Sequence, residues 1–141
     1  MEQEDYLKRQ IDQLGRVLGK ILADLTGPGT RGQVSDSMGT VSQALKAALD
    51  LNLDELVAIP AETFLEVLKV ERNMSSDSFE KLAAILFLVA EETGRHHGDI
   101  EKAWKFYEHA LVIFEHLDKT SSTYSFDRHS MIMKIQKRCN L

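Results

Sequence analysis

Apolar residues recur at alternating spacings of four and three through the start of the chain, at Leu7, Ile11, Leu14, Leu18, Ile21 and Leu25. That period lays all six along one stripe of a helix. A stripe of about three heptads serves one of two purposes: packing against other helices of its own chain, or a coiled-coil seam between two copies. Gly15 and Gly19 lie beside it, four apart. Glycine costs about 1 kcal/mol in a helix interior, so two of them point to another helix passing close by.

The remaining chain repeats the helical theme. Residues 26–33 (TGPGTRGQ) read as a loop, and a helix follows over about 34–50 with Met38, Val41, Leu45, Ala48 and Leu49 on its apolar face. Asn52-Leu53-Asp54 reads as a turn, with Asp54 capping a short helical turn to Ile59. Pro60 starts another helix to about Arg72, burying Phe64, Leu65 and Leu68. Asp77 and Glu80 form an acidic capping box for a helix over about 78–94, which is apolar almost all round from Leu82 to Ala90. Such a helix must be flanked on several sides, so it forms the centre of the core. Asp99 caps the next helix, about 100–119, whose broad apolar face holds Ile100, Ala103, Trp104, Tyr107, Ala110, Leu111, Phe114 and Leu117. A last helix carries Met131, Ile132 and Ile135. No stretch alternates as a half-buried strand does. The reading is one all-α domain over 1–141, with N-terminal helices in 1–72 and a helical hairpin plus terminal helix in 75–141, five to six helices in all.

Composition narrows the function. Hydrophobic residues at 43% and charged residues at 28% describe a globular chain, not a disordered one. The net charge of -5 and pI near 5.5 argue against nucleic-acid binding, which needs a concentrated basic surface. The basic residues Arg128, Lys134, Lys137 and Arg138 near the end read as a solvated helix face. One cysteine, Cys139, permits no internal disulfide and fits a reducing compartment. No apolar run approaches the ~18 residues of a membrane span, and the first residues are acidic where a signal peptide is basic. The expectation is a cytoplasmic protein with neither membrane nor nucleic-acid partner.

The segment Gly98-Asp99-x3-Ala103-x3-Tyr107-x2-Ala110-Leu111 resembles the second half of a tetratricopeptide (TPR) motif. A glycine sits at the turn, small alanines lie where two helices touch, and an aromatic fills the space between them. In the preceding helix Glu91 and Gly94 stand where the pattern has a small residue and then an aromatic. The runs Asp5-Tyr6-Leu7-x-Arg9-Gln10-Ile11-x2-Leu14, Ile21-Leu22 and Leu51-x-Leu53-Asp54-Glu55-Leu56 are similar to a bacterial family with TPR-like helices and no assigned function. The TPR resemblance implies a right-handed stack of antiparallel hairpins. It also implies a concave, partner-binding face on the first helix of the pair, at Ile85, Leu88, Glu92, Arg95 and His96.

Catalytic and ligand-binding patterns are weak. Gly27-x-Gly29-x-x-Gly32 matches a dinucleotide fingerprint in letters, but that motif needs a preceding strand, and here a helix precedes it. Gln33 stands where a Walker A lysine belongs. His96 and His97 are adjacent and diverge, while His109 and His116 are two helical turns apart, too far for one metal. Glu91 and Glu92 diverge by about 100° on a helix and make no acid–base pair. No nucleophile elbow occurs. Trp104 and Tyr107 read as core packing.

These observations favour a non-enzymatic scaffold or adaptor that binds a protein or peptide segment and holds no metal or cofactor. The rival reading is a structural homodimer assembled through the seam Leu7, Ile11, Leu14, Leu18, Ile21 and Leu25.

Overall fold

The computed structural model describes residues 2–26, 34–71, 74–96 and 99–140, and among these not the side chains of 2–7, 11, 34–37, 71 and 96. Seven α-helices follow one another along the described chain: α1 (Glu2–Thr26), α2 (Val34–Leu49), α3 (Leu53–Ala58), α4 (Ala61–Glu66), α5 (Ser76–His96), α6 (Ile100–Thr120) and α7 (Phe126–Arg138). A π-helical turn, Val67–Glu71, continues α4, and no strand occurs among the described residues.

The count exceeds the five to six expected because the 53–58 segment is a helix in its own right. Asn52, not Asp54, is its cap: the Asn52 side chain accepts from the Glu55 N–H at 2.8 Å, and Glu55 reaches back to the Asn52 N–H at 3.2 Å. This reciprocal box satisfies two otherwise orphaned donors. Asp54 instead pairs with Lys102 of α6 at 3.2 Å. A similar shift occurs at α5. Ser75 accepts from the Ser78 N–H at 3.3 Å, so Asp77 pairs with Lys81 and Glu80 faces Arg128. Asp99 caps α6 as its sequence position indicates, accepting from the Lys102 N–H at 3.1 Å.

α5 is the central helix. Leu82, Ala83, Ile85, Leu86, Phe87, Val89 and Ala90 are all buried, as an all-round apolar helix requires. α6 lies antiparallel to it. Gly94 approaches Ala103, Phe87 meets Tyr107 with ring centroids 5.8 Å apart, and Phe79 meets His116 at 6.3 Å, so the pairs run in opposite directions along the two helices. α1 and α2 pack on α5, while α3, α4 and α7 pack on α6. The core is shared along the chain, from Leu18 of α1 to Ile135 of α7. Each fully buried Leu, Ile or Phe in it contributes about 1.5–3 kcal/mol.

The N-terminal stripe divides in two. Leu18, Ile21 and Leu25 are buried inside their own chain and Leu14 is half-buried, whereas the side chains of Leu7 and Ile11 lie outside the described residues. The paired glycines mark where α5 passes α1. Lys81 Nζ donates to the Gly15 carbonyl at 3.1 Å, and a Cβ on Gly15 would stand 3.5 Å from Ser78 Oγ.

Candidate interaction surface

α6 buries Ala103, Phe106, Ala110, Ile113, Phe114 and Leu117. Its next face is covered along the C-terminal half by α7, which turns Ile132, Ile135 and Cys139 inward. The end of α7 is fixed by charge. Arg138 donates from Nε to Glu91 Oε1 at 2.9 Å and from Nη2 to Oε2 at 3.4 Å, and the Tyr107 hydroxyl donates to the same Glu91 Oε1. α7 therefore stops level with Tyr107. One turn further up α6 this face of the helix is open, with Trp104 48% exposed and Ile100 65% exposed.

The apolar spacing of α6 predicts both residues in the core, and the structure corrects this. Their spacing of four puts them on one face beside the buried one, and that face is exposed at the start of α6. Two acids share this face: Glu101 lies three residues before Trp104 and Glu108 four after, and both are exposed. Neither forms an ion pair among the described residues.

The outer face of α7 is a second exposed apolar strip. Phe126 is 74% exposed and Met133 57%, and seven residues separate them, so they share one side of the helix. Lys134 and Lys137 flank them, exposed and without an ion pair among the described residues. Tyr124, just before α7, is also exposed, with its ring 5.8 Å from that of His129.

The residues assigned to a concave face are differently placed. Ile85 has no exposed surface, Glu92 only 6%, and Leu88 is half-buried. α5 is enclosed too completely for Ile85 and Glu92 to line an open groove. Arg95 is exposed and lies 3.8 Å from Glu91, while the His96 side chain is outside the described residues. The glycine motif at 27–32 and its Gln33 lie outside them as well, as do His97 and Gly98.

Glu91, Tyr107 and His109 each bond across helices. Burial pushes the Glu91 carboxyl upward, but Arg138 and Tyr107 outweigh it and hold the group below its ordinary value of 4.5. Burial, then Glu91, raises the Tyr107 hydroxyl, which stays protonated as a donor. Burial and then the Glu108 carboxylate raise the Cys139 thiol, the opposite of what activates a nucleophile. His109 is buried with Nε2 2.6 Å from the Ile59 carbonyl and Nδ1 2.8 Å from the Lys105 carbonyl, and its ring meets the edge of Phe64 at 4.6 Å. It is a joint between α6 and the start of α4. Among the described residues no cluster of three or more His, Cys, Asp or Glu side chains is placed to hold a metal ion. None of the described helices is long and apolar enough to cross a membrane.

No family model, curated protein or solved structure matches the chain. The exposed aromatic surface therefore has to be read from its own chemistry.

Proposed function

We propose that this chain is a non-enzymatic helical interaction module, a scaffold or adaptor built around the α5–α6 hairpin as a TPR-like unit. Its working surface is the exposed Ile100/Trp104 face at the start of α6. The observation that carries this reading is Trp104 exposed beside Ile100 on one helical face. Tryptophan concentrates binding energy at protein interfaces because it buries a large rigid surface at little entropic cost. Glu91, Tyr107 and His109 serve as joints between helices, which favours binding over catalysis.

The test is a pull-down from extract of the source organism, with the folded wild-type chain and a Trp104→Glu variant as parallel baits. Proteins retained by the wild type and lost with the variant support the reading. Identical retained sets would overturn it.

A further inference from the structure

We propose that His109 is a pH-sensitive latch: with both ring nitrogens protonated it fastens the α3–α4 junction to α6, and loss of one proton loosens it. The latch works whether or not the Trp104 face holds a partner.

The ground is a mismatch between donors and acceptors. His109 is 3% exposed, and its ring sits between two main-chain carbonyls, Nε2 2.6 Å from the Ile59 oxygen and Nδ1 2.8 Å from the Lys105 oxygen. A carbonyl oxygen only accepts, and a neutral imidazole has a single N–H to give. A neutral ring therefore makes one of these bonds and sets a bare nitrogen lone pair against the other oxygen. The imidazolium donates to both, and short distances are what a charged donor gives. Turning the ring over does not remove the conflict. It would put carbons where the nitrogens stand, 2.6 and 2.8 Å from oxygen, well inside the about 3.3–3.6 Å of a C–H···O contact.

The two bonds meet at a junction with few other polar ties. Ile59 ends α3, and Pro60, which has no N–H, leads into α4. Phe64, the fully buried residue of α4, packs on the same imidazole at 4.6 Å. The Lys102–Asp54 pair also joins α6 to α3, at 3.2 Å, but its side chains are 43% and 74% exposed and contribute little.

The charged side chains of the surrounding elements are engaged elsewhere or turned to solvent. Lys105 and Glu108 of α6 and Glu62 and Glu66 of α4 are exposed. On α3, Asp54 pairs with Lys102 and Glu55 with Lys46. Lys69 of the π-helical turn is exposed and lies toward His116. Among the described residues the polar partners of the His109 ring are the two carbonyls.

This arrangement gives the pH dependence a sign. A buried histidine that is neutral in the fold is destabilising in acid, where it must charge. A ring that uses both protons does the reverse. Its contribution is complete in mild acid and is lost as pH rises, because the unfolded chain gives up the second proton first.

The experiment follows the folding equilibrium of wild type and His109→Gln by chemical denaturation from about pH 5 to 8, the range in which histidine changes charge. The other histidines are common to both chains and cancel in the ratio of the two equilibrium constants. The advantage of wild type shrinks as pH rises, by no more than about tenfold per pH unit, the limit that one proton sets. Amide-exchange protection in α3 and α4, corrected for the intrinsic pH dependence of exchange, falls over the same interval. A ratio that stays constant or grows with pH overturns the proposal, as does protection that does not fall. Should the variant fail to fold, the ring nitrogen shifts of wild type decide the matter. At a pH where histidines of the unfolded chain are neutral, two protonated nitrogens in His109 support the latch, and one protonated beside one bare nitrogen refutes it.

Discussion

Arg138 Nε lies 2.9 Å from Glu91 Oε1, joining the last turn of α7 to the central helix across 47 residues of sequence. Glu91 also accepts from Tyr107 of α6, so one carboxylate ties three helices together. This clamp holds the last turn of α7 level with Tyr107, one turn short of Trp104.

Glu91→Gln weakens the clamp. Charge-assisted hydrogen bonds contribute about 1.5–3 kcal/mol, but the Arg138 side chain is 53% exposed and solvent screens its share. The expected loss is about 1 kcal/mol, read as a lower Tm. The pH dependence has a definite sign. The folded-state pKa lies below the ordinary 4.5, so the contribution is complete above that value and is lost as pH falls through the lower folded one. An acid titration of stability should therefore fall less steeply below about pH 4.5 in the Gln variant than in wild type.

Trp104 and Phe106 are two residues apart and should answer truncation in opposite ways. Trp104→Ala removes an exposed ring and should change stability by no more than about 0.5 kcal/mol. Phe106 has no exposed surface, and Phe106→Ala should cost about 3–5 kcal/mol through the cavity it leaves. Chemical denaturation of both variants checks the contrast. A large loss in the Trp104 variant would return that residue to the core.

Arg128 is only 6% exposed, with Nε 3.8 Å from Glu80 Oε1 and neither Nε nor Nη1 hydrogen-bonded. A buried cation so poorly paired contributes little net stability. Arg128→Met keeps the packing of the long stem without the unsatisfied donors. Its Tm should equal or exceed that of wild type.

Gly39 lies inside α2, where an added Cβ would meet nothing within 4 Å. Gly39→Ala should raise stability by roughly 0.5–1 kcal/mol through helix propensity and a less disordered unfolded chain. Thermal melts decide it, and a lowered Tm would be the contrary result.

Periodicity carries much of the fold because it is local. The stripe at Leu18, Ile21 and Leu25, the all-apolar run of α5 and the Asp99 cap can each be read within a few turns of helix. Local reading fails where distant segments decide. Ile100 and Trp104 share the apolar spacing of α6, yet both are exposed, because burial depends on which other helices pack against that face. Burial of Arg128 next to Glu80 is likewise a long-range outcome that reads locally as a solvated basic helix. Asn52 is legible as a cap, since Asn-x-x-Glu leads straight into an apolar pair, but Asp54 two residues on is an equally good capping residue type by itself. The concave face implied by resemblance places Ile85 and Glu92 toward a partner, whereas the packing around α5 encloses both.

The chain contains one tryptophan, so its fluorescence reports on the Trp104 surface alone. The decisive measurement is the emission maximum of the folded chain together with its quenching by iodide, beside the same chain unfolded in denaturant. The expected result is a maximum typical of a part-exposed indole, with ready quenching in the folded chain. A maximum at short wavelength that iodide does not quench would contradict the placement of Trp104 on an open surface.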